Sequence, residues 1–368
     1  MKGLKIMGKI LLIIILALVA LALIALAILK INSSGKLPAI KDSAGNVIEG
    51  GVSEKVFVEI GGVKQGMFIR GEKEDNPVLL FLHGGPGSPE LAISMAEETG
   101  DRLEKEFVVC YWDQRGSGMS YDKDMDPADL NLDRIVEDTA EVTRYLQERF
   151  GQEKIYILGH SWGSYLGIKT IERYPEYYRA YLGVGQVVKQ TESEKLAYEY
   201  MLEHAREIGD EKDEKQLLAY DVNSPDFPQQ NYIMGVRSSL MNKYGIGMMH
   251  ENASMFRIIK NLMLFKGYTI GEKIGYTKGM LLSQQHLFGY VTEDDLFVSS
   301  PVVEVPVYIL HGYYDYQVSY ALAKEYSEKI QAPDKKLYTF ENSAHSPLWE
   351  EPEAFMNAVQ EIMEKTGN

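Results

Sequence analysis

The stretch Ile155-Tyr156-Ile157-Leu158-Gly159-His160-Ser161-Trp162-Gly163 decides how the rest of the chain is read. Four apolar residues make a buried strand, and they run directly into Gly-x-Ser-x-Gly. A backbone that turns from strand to helix this tightly leaves no room for side chains beside the turn, which is why glycines flank the serine and why its hydroxyl stands exposed. Ser164 to Lys169 continue as a helix. Strand, strained turn and helix together predict a nucleophile elbow, whose chemistry is acyl transfer.

A serine hydroxyl is a weak nucleophile at neutral pH, so a histidine has to take its proton and a carboxylate has to orient that histidine. Downstream, the apolar strand Val305 to Leu310 leads into His311-Gly312-Tyr313-Tyr314-Asp315. This puts Asp315 at the carboxyl end of a strand, where open α/β sheets carry their sites. His345 follows the short strand Leu337 to Phe340 in the same way. Ser161 as nucleophile, Asp315 as orienting acid and His345 as base stand in the chain order that hydrolases of this architecture use. Donors for the oxyanion are expected from His83-Gly84-Gly85-Pro86-Gly87, which ends the strand Val78 to Leu82. The backbone N–H groups of Gly85 and of Trp162, the residue after the serine, are the pair predicted to supply them.

These motifs, with Trp112-Asp113-Gln114-Arg115-Gly116-Ser117-Gly118-Met119-Ser120, resemble the proline iminopeptidase branch of the α/β-hydrolases over roughly residues 55 to 365. The resemblance implies an α/β-hydrolase fold, a doubly wound and mostly parallel sheet with an inserted helical cap, and a serine hydrolase that removes an N-terminal residue, typically proline. The chain departs from the family's usual pattern at His160, where glycine is usual, and at Met119, where arginine is usual. Relatives sharing the motifs include hydrolases of other small substrates, so a carboxylesterase is the alternative. Epoxide hydrolase or dehalogenase chemistry would need a carboxylate where Ser161 stands, and a non-catalytic relative would show a damaged triad.

Phe107 to Trp112 read as a buried strand, and Asp113 and Arg115 in the turn after it are expected to pair with one another and stiffen that loop. His83, His160 and His311 border strand ends without metal-ligand spacing and read as hydrogen bonders around the site, so no metal or cofactor is expected. Cys110, the single cysteine, reads as a small core residue. With 368 residues and 45% hydrophobic content the chain can bury a large core. Its formal net charge of -15 argues against nucleic acid and anionic membrane surfaces as partners of the folded part.

Ile10 to Leu29 is an uninterrupted apolar run of membrane-spanning length. Lys2, Lys5 and Lys9 before it favour a cytoplasmic N-terminus and an extracytoplasmic catalytic domain, hence a single-pass membrane protein. The alternative is a secreted protein whose signal peptide is cleaved at Ala25-Leu26-Ala27. The expected organisation is a tail and anchor over 1–30, a linker over 31–53, the first part of the hydrolase core over 54–185, a helical cap over 186–300 and the second part of the core over 301–368. Within the core, Gly61-Gly62 predict a hairpin turn, and the three- and four-residue spacing from Leu132 to Leu146 predicts a helix ended by Gly151. In the cap, the methionines between 201 and 280 suit either an adaptable apolar lining or the cap's own packing. Glu192, Glu194, Glu199, Glu203 and Glu251 are the acids from which a carboxylate for a substrate's ammonium group would come, and the sequence selects none of them.

Overall fold

A computed structural model describes residues 2–367 apart from Ser43, Glu97, Glu98, Gln230 and Asn252. Met1, which opens the expected tail, and Asn368, which closes the expected second part of the core, lie outside the described residues. Eight strands among the described residues form one sheet: β1 Val52–Ile60, β2 Val63–Gly71, β3 Val78–Leu82, β4 Val108–Trp112, β5 Ile155–His160, β6 Tyr178–Val184, β7 Val307–Gly312 and β8 Lys335–Phe340. Their order across the sheet is β1-β2-β4-β3-β5-β6-β7-β8. β1 and β2 run antiparallel, β2 is antiparallel to β4, and every pair from β4 to β8 is parallel.

The local causes are the ones the residues supply. Gly61 and Gly62 close the β1–β2 hairpin with φ of 56° and 75°, the left-handed pair that a two-residue turn needs and that side chains resist. β3, β4, β5 and β7 are buried at every position, as parallel strands covered on both faces must be. Side chains alternate between two core clusters: Leu80, Leu82, Cys110, Trp112 and Ile157 pack on one face, and Leu79, Phe81, Tyr111, Tyr156 and Leu158 on the other. The helix Leu132–Phe150 buries Ile135, Val136, Val142 and Leu146; Asn131 caps its start and Gly151, at φ 65°, ends it.

The parallel connections place the carboxyl ends of β3, β4, β5, β7 and β8 along one edge. Between β6 and β7 the chain is helical, with Gln190–Glu207 and Ile270–Glu293 the longest segments. Part of this region has its own apolar cluster, built on Tyr198, Met201, Leu217, Phe227, Tyr232 and Met241. The helix Ile270–Glu293 lies against the sheet's loops: a Cβ on Gly279 would strike Gly116 O, and one on Gly275 would lie 2.8 Å from Gly118 O.

At the other end of the chain, Lys2–Ile31 is one helix, and its stretch Lys9–Ile31 has mean hydropathy 3.5 and no buried share. It is long and apolar enough to cross a membrane. The polar segment after it does not dangle. Ser34 bridges to Thr269, Lys36 N–H donates to Lys266 O, and Arg70 donates to Pro38 O.

Candidate active site

Ser161 sits where β5 turns into the helix Trp162–Arg173, with φ 56° and ψ -120°. Among the described residues it is the non-glycine residue held at positive φ, a conformation that costs on the order of 1–3 kcal/mol and persists where the surroundings enforce it. The flanking glycines are enforced as well: a Cβ at Gly159 would run into Gly163 O, and one at Gly163 into Leu82 O. Ser161 N–H donates to Val184 O at 2.9 Å, tying the elbow to the end of β6.

Asp315 and His345 emerge from the loops after β7 and β8 and meet. His345 Nδ1 lies 2.8 Å from Asp315 Oδ2, both residues buried. Asp315 Oδ1 accepts from Val318 N–H, and His311 Nε2 stands 3.1 Å from Oδ2. Burial by itself would raise the Asp315 pKa, but the facing His345 and His311 rings hold it well below the usual carboxylate range. His345 moves the other way: burial lowers its pKa, and Asp315 only partly compensates. Its Nε2 is buried and hydrogen-bonded to nothing among the described residues, Ser161 Oγ included. Unliganded sites often carry such open contacts, which close when substrate binds. Gly185, the residue after β6, packs against the imidazole so tightly that a Cβ there would lie 2.8 Å from the ring.

The loop after β3 passes beside the nucleophile, since a Cβ on Gly84 would lie 3.1 Å from Ser161 Cβ. Gly85, at φ 114°, follows directly, and no acceptor among the described residues takes its N–H or that of Trp162. The loop is stitched to its neighbours. His83 Nε2 accepts from Gln114 N–H, Gln114 donates to His83 O, and Trp162 Nε1 donates to Gln114 Oε1. Burial pushes the His83 pKa down to about 4, so the ring is a neutral brace.

The sequence reading did not pick out Glu90. This buried carboxylate accepts from Gly84 N–H at 2.8 Å and sits 2.9 Å, through both oxygens, from His160 Nδ1. His160 Nε2 in turn points to His345 O at 3.1 Å, and the two imidazole centroids are 5.0 Å apart. A ring that faces oxygens from both nitrogens is favoured in its protonated form, which can donate from both. Burial would lower the His160 pKa, but the Glu90 charge outweighs it and the net direction is up. The departure at His160 is therefore a linked pair, and its signal was a histidine in a buried strand end, which requires a polar partner. Glu350 was missed as well. It accepts from Ala344 and Ser346 N–H on either side of His345, and burial raises its pKa to about 7.

One expected contact fails. Asp113 and Arg115 do not pair: the turn sends their side chains apart. Asp113 accepts from Met119 N–H and from Tyr268 Oη at 2.9 Å. Arg115 crosses to the helix Leu132–Phe150 and forks onto Asp138 through Nε at 2.6 Å and Nη2 at 3.0 Å. Both halves still brace the loop, but against different elements. Burial lifts the Asp113 pKa to about 7. Cys110 is fully buried with its thiol pKa raised, as a core residue's should be.

Of the five acids singled out between β6 and β7, Glu194 alone is buried, and it accepts from Arg237 Nε at 2.6 Å and Gln190 Nε2 at 2.7 Å. Met201 and Met241 pack in the cap cluster, whereas Met255 and Met263 are exposed. The side chain of Met234 lies outside the described residues.

The family model of the alpha/beta hydrolase fold matches residues 77–352. The chain belongs to the α/β-hydrolase family. It is 33% identical over 304 residues to the Probable aminopeptidase YbaC of Bacillus subtilis, covering 82% of this chain and 93% of that one. It is 26% identical over 308 residues to a proline iminopeptidase of Clostridioides difficile, covering 83% and 96%. Among solved structures, a proline iminopeptidase-related protein from Thermus thermophilus superposes with TM-score 0.58 at 23% identity, covering 86% of this chain and 98% of that one. The proline iminopeptidase of Mycobacterium smegmatis gives TM-score 0.63 at 16% identity, over 85% and 98%. These structural likenesses carry the fold. The family and the aminopeptidase relatives make this α/β-hydrolase a hydrolytic enzyme of peptidase-like function.

Proposed function

We propose that the protein is a serine hydrolase that releases the N-terminal residue, with proline preferred, from small peptides through an acyl-enzyme on Ser161. The observation that carries the reading is the buried His345 Nε2 without a partner, backed at Nδ1 by Asp315, its ring 5.0 Å from that of His160 in the strained Ser161 elbow. His345 Nε2 takes the Ser161 proton as Oγ bonds to the scissile carbonyl carbon. The oxyanion is held by Gly85 and Trp162 N–H, each such donor being worth roughly 3 to 4 kcal/mol. The tetrahedral intermediate collapses, the C–N bond breaks, and His345 gives its proton to the leaving amine. Water, deprotonated by His345, then cleaves the ester and frees Ser161. No cofactor or metal enters these steps.

A second reading, a carboxylesterase, is favoured by one observation. The single buried acid of the five is already neutralised by Arg237, so a substrate ammonium would have to share it. Proline 2-naphthylamide, its N-acetylated form and a short acyl p-nitrophenyl ester separate the two. The aminopeptidase reading requires acetylation to abolish turnover; activity only on the ester establishes the esterase.

Lys9–Ile31 is proposed as a retained anchor, with the lysine-bearing tail cytoplasmic and the hydrolase outside. Recovery of soluble enzyme with an N-terminus near residue 28 would make the segment a cleaved signal instead.

A further inference from the structure

The helix Met255–Leu264 has two apolar faces, and the fold uses only one. Ile258 and Leu262 pack inward against the core cluster that contains Leu79 and Phe81. Met255, Phe256, Ile259, Met263 and Leu264 face solvent, Phe256 at 77% exposure. Ile274, on the next helix, adds to them at 51%, and the neighbouring Lys273 donates from Nζ to Met263 O, which fastens the two helices together. A soluble monomer rarely leaves this many large apolar side chains together.

What lies next to the patch identifies its occupant. Met255–Leu264 touches the apolar helix Lys2–Ile31, and Lys273 Nζ also donates to Asn32 O, directly beyond that helix's last residue. Lys36 N–H and Ser34 Oγ bond Lys266 O, so the chain leaving the apolar helix is pinned to this part of the cap. Exposed Lys30, Lys260 and Lys266 border the patch, a local basic rim in a chain whose overall net charge is -15 and would repel an anionic surface elsewhere. An apolar helical face rimmed by lysines, at the exit of a membrane-length helix, has the composition of a surface seated in a bilayer interface.

We propose that the outward face of Met255–Leu264, with Ile274, docks into the headgroup and upper acyl region of an anionic phospholipid bilayer. This rests on the reading of Lys9–Ile31 as a retained anchor. The consequence reaches the site, because the helix bearing Ile274 also packs Gly275 and Gly279 on the loop Gly116–Gly118 and Ser283 on Gly87. A seated cap is thereby held in place against the loops at Gly87 and Gly116–Gly118.

The test uses the full chain in phosphatidylcholine/phosphatidylglycerol vesicles, with a nitrobenzoxadiazole label at single cysteines introduced as Leu18→Cys, Ile259→Cys or Val298→Cys. Cys110 is fully buried and does not compete. Val298 is exposed and lies beyond the far end of the 24-residue helix Ile270–Glu293 from Ile274. Lipids spin-labelled near the headgroup should quench the Ile259 label severalfold more than the Val298 label, and Phe256→Glu/Met263→Glu should bring it down to the Val298 level with the thermal melt unchanged. Quenching at Leu18 with Ile259 no better quenched than Val298 overturns the docking and leaves the anchor standing. A Leu18 label outside the bilayer overturns the anchor, and the docking with it.

Discussion

The sheet edge and the helical region between β6 and β7 are built on different terms. At the edge, buried charged groups meet fixed partners: Asp315 with His345, Glu90 with His160, Arg115 with Asp138. In the helical region, a local apolar cluster around Met201, Leu217 and Tyr232 carries the packing, and the buried Glu194–Arg237 pair reaches toward Asp315 through Gln317 O. On the proposed function, chemistry would reside where geometry is over-determined, and substrate selection where packing can adjust. The division is open to attack from both sides.

The largest effect belongs to the edge. Ser161→Ala or His345→Ala should each remove activity by about 10⁴-fold or more, because the members act as a unit. The melting temperature of Ser161→Ala should hardly change, and calorimetry beside a kinetic assay checks both. Next, Asp138→Asn should destabilise by roughly 3–5 kcal/mol, since it strips a buried arginine of its charge partner. Urea unfolding measures it, and a loss below about 1 kcal/mol would mean that Gly61 O, which already accepts from Arg115 Nη2, is enough to hold the guanidinium.

How much of this was legible follows from how local each cause is. The elbow could be read because Gly159, Ser161 and Gly163 satisfy a steric rule within five residues, and Asp315 and His345 because each follows an apolar strand. The β1–β2 hairpin, the helix before Gly151 and the sheet follow from periodicity in the same way. The partners of His160 and Arg115 lie 70 and 23 residues away in sequence, and no local pattern reports which buried charges a fold brings together. The same holds for residues 32–36, whose composition reads as a linker while their backbone is bonded to 266–269.

The helical region can be probed with Leu217→Ala, which opens a cavity at a fully buried position and should cost about 2–5 kcal/mol. Active-site labelling should survive and KM should change more than kcat. If labelling were lost as completely as in His345→Ala, the two regions would not be separable. A smaller effect concerns pH. His345 must be neutral to act as base, and burial sets its pKa below 6.5, so kcat/KM should fall as pH drops through a midpoint under that value. The neighbouring His160 charge contributes to the lowering, so His160→Ala should move the midpoint upward, while an unmoved midpoint would remove His160 from the account.

The central claim is that Ser161 forms the covalent intermediate. Treating the intact protein with a fluorophosphonate, then locating the adduct by peptide mass spectrometry, tests it without knowledge of the substrate. One adduct per chain is expected, on Ser161, and none on Ser161→Ala. Stoichiometric labelling of Ser161→Ala, or an adduct on any other residue of the unaltered chain, would contradict it.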